Sequence, residues 1–202
     1  MSPDRGYHHG DLPAALVEAS FELLAECGLQ RFSVAAVARR LGVSSAAPYR
    51  HFPDRGHLLG AVSSTAARDL RAAITGAADA AGPGPAARLA AAAGAYVRYV
   101  VRTGAGFHVI YAAELSGLAD DARREQTRAL MTTLLELATA TGSSSYQEAV
   151  RLVEATIAVA HGYTSLFADG FFGSKATTVD EIATRATEAA LALIGPPQRP
   201  NP

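Results

Sequence analysis

The chain has almost no cysteine, almost no lysine and no long hydrophobic run. Cys27 is the only cysteine of 202 residues, so no internal disulfide forms and a reducing cytosol suits the chain. Cys27 lies on the apolar side of the first expected helix and reads as packing rather than as a redox switch. No apolar stretch reaches the ~18 residues that would suggest a membrane span. The opening MSPDRGYHHGD is polar and lacks the apolar core of a secretion signal. A cytoplasmic protein with no membrane partner is therefore expected. Lys175 is the only lysine, so positive charge is carried by arginine. No segment alternates apolar and polar residues long enough for a strand, and no repeat is present. A phosphate-cradling glycine loop, an HExxH pair and a nucleophile set beside a histidine are all missing. No catalytic residue, metal ligand or cofactor is assigned, and an enzyme is the weaker class of reading. His8 and His9 are adjacent, and adjacent positions do not share a helix face. That argues against a specific metal site.

What is present is helical. Hydrophobic residues make up 49% of the chain, against disorder, and the formal net charge is only −1. The length can bury a sizeable core. The first helix is expected over about 11–27, where Leu12, Leu16, Ala19, Leu23 and Leu24 recur at helical spacing and Gly28 closes it. A connecting helix is expected over 55–80, ended by the AGPGP break at 81–85. Further helices are expected over about 86–103, 107–115, 120–141, 146–168 and 179–194. Thr178 with Glu181 three residues on reads as a capping box at the start of the last. Residues 170–175 read as a loop, and the tail over 196–202 as disordered. The fold class is all-α. An N-terminal head of three helices is expected over 1–54, and a C-terminal bundle of about six helices over 55–195.

The stretch 32–55, FSVAAVARRLGVSSAAPYRHFPDR, carries the chemistry. Ser33 is a good N-cap, with Phe32 and Val37 placed as a hydrophobic staple around it. Ala36, Val37 and Leu41 form the apolar face, and Gly42 ends this helix. Ser44 or Ser45 caps a second helix running to about residue 52. Ser45 is favoured, because Pro48 then falls in the first turn, where its missing N–H would have had no helical partner. Asp54 caps the connecting helix. Residues 28–60 hold Arg31, Arg39, Arg40, Arg50 and Arg55 against Asp54 alone, a local surplus of four positive charges. Phosphate contact requires such a face. Two ordinary helices of a bundle would also satisfy the turn, since such units occur in many helical proteins.

The first ~60 residues resemble the N-terminal domain of the tetracycline-repressor-like (TetR/AcrR) family of bacterial regulators. YHHGDLPAALVEASFELLAECG is similar to its first helix, and FSVAAVARRLGVSSAAPYRHFPDRGHLL to its second, third and early fourth. The string from Tyr49 through Phe52 to Arg55 and Leu58 follows a family signature. Pro48 stands where the family usually has an apolar residue such as Leu. Ala160-His161-Gly162 resembles the Trp-His-Gly signature of one C-terminal subclass, with Ala160 in place of Trp.

The resemblance implies a homodimeric, ligand-responsive repressor that binds double-stranded DNA at a palindromic operator and releases it on binding a small, mostly apolar effector. Tyr49, His51 and Arg55 are expected at phosphates. Ser45, Ala46 and Ala47 are expected at base edges or thymine methyls. For Arg50, base reading, phosphate contact and simple solvation stay open. Ser33 and Ser44 complete the expected DNA-binding set. Val150, Val153, Ile157, Thr164 and Phe167 on one helix, with Val179, Ile182, Ala186 and Leu193 on the last, form stripes that the resemblance implies are the dimer interface. Each helix also needs one face for its own core. Tyr96, Tyr99, Phe107, Tyr111, Met131, Leu134, Leu135 and Ile157 would wall an effector pocket, with His108, Glu114 and His161 as polar anchors. Aromatics at helical spacing are more often plain core, and His161 equally fits a helix-interface histidine. A helical interaction protein without specific DNA binding is the alternative function.

Overall fold

The computed structural model describes residues 11–173 and 177–195. Among these, all regular structure is helical. His8, His9, Lys175 and the expected tail at 196–202 lie outside the described residues.

Helix α1 spans Leu12–Arg31. Asp11 caps it by accepting the Ala14 N–H at 3.2 Å. The helical path breaks at Gly28 (φ 71°, ψ 173°), so the end expected near residue 27 is a kink followed by one further turn. Helix α2 spans Val34–Arg40. The Ser33 hydroxyl accepts the Ala36 N–H at 3.2 Å, and Phe32 and Val37 are both buried, as the staple requires. The chain leaves α2 through Gly42 at φ 67°. There the Val43 N–H reaches the Ala38 carbonyl at 3.1 Å, which closes the helix end as a Schellman turn does.

The second helix of the pair does not form as expected. Residues 45–52 are turns around a 3-10 segment, Pro48–Arg50. Pro48 has no N–H to give the Ser44 carbonyl, and its ring crowds that carbonyl. The Ala47 N–H takes the Ser44 carbonyl instead, at 3.0 Å, and the Phe52 N–H bonds to the Pro48 carbonyl at 2.9 Å. Ser45 does not act as a side-chain cap, because the segment begins at Ala47 without one.

Helix α3, Arg55–Ala80, runs unbroken from this head into the body. Asp54 caps it, accepting the His57 N–H at 2.9 Å. The body continues with α4 (Pro85–Thr103), α5 (Phe107–Ile110), a 3-10 turn (Ala113–Leu115), α6 (Asp121–Thr139), α7 (Tyr146–Ala168) and α8 (Val179–Ile194). The single helix expected over 107–115 is thus split at Tyr111 and Ala112. The capping box of Thr178 and Glu181 is present.

One core joins head and body. Leu16 and Leu24 of α1, Leu59, Val62 and Leu70 of α3, and Leu89, Tyr96 and Ile182 beyond belong to a single buried cluster. Helix α4 packs most extensively on α8. Gly94 permits that approach, since a Cβ there would sit 2.9 Å from the Ala183 carbonyl oxygen. This packing corrects part of the expected dimer stripe. Val153, Thr164, Ile182 and Ala186 are buried inside the protomer and present no surface to a partner. Val150, Ile157, Phe167 and Val179 are half-buried, and Leu193 is exposed.

Candidate nucleic-acid interface and sensor cavity

The turn after α2 presents its side chains outward. Ser44, Ser45, Ala46, Tyr49, Arg50 and His51 are exposed, Ala47 is half-buried, and Pro48 alone is buried. Tyr49 is a large aromatic left 52% exposed. Ser33 is half-buried and already used as the α2 cap.

The positive face is smaller than the sequence suggests. Arg40 pairs with Glu22, at 3.2 Å, and with Glu26. The bonded Arg40 guanidinium holds the Glu26 carboxyl below its usual range. Arg31, Arg39 and Arg50 are exposed and form no ion pair among the described residues.

Arg55 does not join them. Its Nε donates to the Phe32 carbonyl at 3.2 Å and its Nη2 to the Leu29 carbonyl at 3.0 Å. Its Nη1 donates to the Glu114 carboxylate. The guanidinium carbon lies 5.5 Å from the centre of the Phe32 ring. Arg55 is turned into the head, and Glu114 pairs with it instead of lining the cavity.

In the body, part of the expected pocket wall assembles. Ile74, Ala92, Tyr96, Phe107, Leu134, Thr156, Ile157 and Ala160 enclose a cavity of about 10 Å³, room for about one water. The Tyr96 ring stacks on Phe107 at 5.3 Å between centroids, and Phe107 on Tyr111 at 5.9 Å. The Phe107 N–H donates to the Tyr96 hydroxyl at 3.2 Å, and the same hydroxyl lies 3.1 Å from His161 Nδ1. Burial pushes the Tyr96 phenol up, so it stays protonated and can donate to that nitrogen. His108 lies beside His161, with ring centroids 6.2 Å apart. Burial first, and the neighbouring His161 second, push the His108 pKa down.

The remaining expected wall residues lie elsewhere. Tyr99 is buried away from the cavity, with Arg102 over its ring at 5.8 Å. Tyr111 is 48% exposed, and Met131 and Leu135 pack at the core's margin without lining the cavity. His161 is exposed and touches the cavity only through Tyr96. A roomier hollow of about 500 Å³, which sequence reasoning missed, opens between α1 and α3, against Val17, Phe21, Phe52 and Ala61. Nothing in the periodicity distinguishes its walls from ordinary core. Among the described residues no group of three or more His, Cys, Asp or Glu could hold a metal, and no helix is long and apolar enough to cross a membrane.

Replacing Tyr96 with Phe should leave the half-buried Phe107 N–H without its acceptor. A loss of about 1 kcal/mol in unfolding free energy is expected. Denaturant unfolding with an unchanged midpoint would show that the hydroxyl bonds nothing that matters.

Comparison with known proteins decides the family. The profile of bacterial regulatory proteins of the tetR family matches residues 16–62, and that of a tetracyclin repressor-like C-terminal domain matches residues 89–190. The chain belongs to the TetR family. It is a DNA-binding transcriptional regulator. Regulators of the TetR family bind DNA and form dimers. A protein of unknown function from Rhodococcus sp. RHA1 is 29% identical, over 94% of this chain and 98% of its own, with a TM-score of 0.70. A tetR-family regulatory protein from Rhodococcus RHA1 is 24% identical, over 91% and 96%, with a TM-score of 0.61. A transcriptional regulator from Rhodococcus sp. Rha1 is also 24% identical, over 91% and 95%, at 0.62. The last two show the shared fold. Among curated proteins no match was found.

Proposed function

We propose that this TetR-family chain is a homodimeric repressor that binds a palindromic operator and releases it when a small, mostly apolar molecule enters the body. The observation that carries the reading is α3. This one helix starts under the exposed, arginine-flanked turn and continues to the wall of the aromatic cavity, where Ile74 is part of the lining. A change at one end therefore has a rigid element through which to reach the other. Effector and operator would be linked by their differential affinities for two head spacings.

In this reading Tyr49, His51 and Arg50 contact phosphate, and Ser44, Ser45, Ala46 and Ala47 meet base edges and thymine methyls; their exposure on the turn supports it. For the dimer, α7 and α8 are the proposed interface. Exposed apolar side chains support it: Leu166 and Leu193 are 39% and 61% exposed, and Leu191 is 42% exposed. The cavity of about 10 Å³ is too small for an effector, so binding must part the Tyr96–Phe107 stack from Leu134 and Ile157. A population of opened bodies would be selected by the ligand.

Selection of bound duplexes from a random pool tests this reading. A two-fold symmetric consensus is expected, with half-sites about one helical turn apart or a multiple of it. A single unpaired half-site, or no enrichment, would count against a dimeric operator-binding protein.

A further inference from the structure

We propose that Arg55 and Glu114 form a clamp that fixes the DNA-binding head to the sensor body. Arg55 then serves DNA binding by positioning the head and makes no phosphate contact of its own. The inference rests on the DNA-binding reading and names the coupling within it.

All three nitrogens of the Arg55 guanidinium donate: two to carbonyls of the α1–α2 junction, at Phe32 and Leu29, and one to Glu114. The Phe32 ring fixes the plane of the group from one side. A single exposed ion pair contributes little, but a planar fork held at three points is preorganised. Glu114 sits 59 residues away in sequence, in the 3-10 turn that follows α5. Residues 104–120 thus face the head, beside the α4 contacts with α1.

Three further contacts anchor the same segment. Gly104 lies against the α1 backbone, where a Cβ would stand 2.4 Å from the Ala25 nitrogen. The buried Ser63 hydroxyl of α3 donates to the Ile110 carbonyl at 2.9 Å. Gly60 faces Leu118, with a Cβ position 2.7 Å from its Cδ2. The segment also carries Phe107, which lines the cavity, and Tyr111, which stacks on Phe107. Parting Phe107 from Tyr96 would therefore displace the turn that holds Glu114. The clamp converts opening of the cavity into release of the head.

The test uses a labelled duplex chosen from a random pool by the wild-type protein. Its affinity is measured for wild type, Arg55→Gln, Glu114→Gln and the double variant between 50 and 200 mM salt. We expect each single variant to weaken binding, Glu114→Gln by roughly tenfold and Arg55→Gln by at least as much, and the double variant to weaken it no further than Arg55→Gln. The slope of log affinity against log salt should stay that of wild type, because no phosphate contact is lost. Wild-type affinity in Glu114→Gln overturns the clamp, whatever Arg55→Gln does. A slope lowered by Arg55→Gln, or additive losses, overturns it as well. Failure of the wild-type protein to enrich any sequence would instead strike the DNA-binding reading on which the clamp depends.

Discussion

Gly104→Ala is expected to cost about 2–5 kcal/mol of stability. Gly104 ends α4 at φ 64°, in the left-handed region where a Cβ costs about 1–2 kcal/mol. The new methyl would also stand 2.4 Å from both the Leu24 carbonyl carbon and the Ala25 nitrogen. These are backbone atoms, and no rotamer change relieves them. Either α1 moves off the body or the end of α4 distorts, and overpacking of this kind typically adds 1–3 kcal/mol. At roughly 2–4 °C per kcal/mol for a chain of this size, the melting temperature should fall by about 10 °C. Gly142→Ala supplies the control. Its φ is 93°, but nothing lies within 4 Å of the added atom, so only the conformational cost applies. Equal losses at the two positions would mean that the contact between head and body is not tight.

Arg50→Ala should weaken operator binding about 100-fold and lower the salt slope by about 2. Arg50 is exposed, follows the exposed Tyr49, and forms no ion pair among the described residues. A charge-assisted hydrogen bond contributes about 1.5–3 kcal/mol, and a two-fold dimer loses it twice. Each 1.4 kcal/mol is a factor of ten in affinity. Each lost phosphate contact lowers the slope by about 0.9. Tyr49→Ala removes a neutral group, so affinity should fall by roughly tenfold with the slope unchanged. Anisotropy titrations at several salt concentrations separate the two behaviours, and sedimentation must show the dimer intact in both. Arg50→Ala at wild-type affinity and slope would remove the residue from the DNA face.

Much of this architecture is legible in local chemistry. Asp54 and Ala80 bound α3 as read, because a cap precedes it and a Gly-Pro break follows. The start of α8 follows from Thr178 and Glu181 for the same reason. The misreadings have physical causes too. The turn at 45–52 depends on where one proline is absorbed: Pro48 takes the first position of a short 3-10 segment, so regular structure begins at Ala47 rather than at Ser45. The apolar stripe on α8 is real, but a stripe does not say which neighbour it faces. Ile182 and Ala186 are buried inside the protomer, where α8 packs closely on α4 because Gly94 lets the two helices approach. The union of Arg55 with Glu114 crosses the whole boundary between head and body, and no periodicity encodes it. The aromatic row from Tyr96 to Tyr111 likewise depends on how the chain turns at 104–106, which leaves the cavity smaller and differently lined than spacing alone implies.

The central claim is sequence-specific DNA binding. Fluorescence anisotropy against DNA from immediately upstream of the protein's own gene, beside a scrambled duplex at ~150 mM salt, tests it most directly. The account predicts binding to one such region at least a thousandfold tighter than to the scramble, within the range of specific regulators. Binding no tighter than the scramble, across several candidate regions, would contradict it and favour a helical interaction protein.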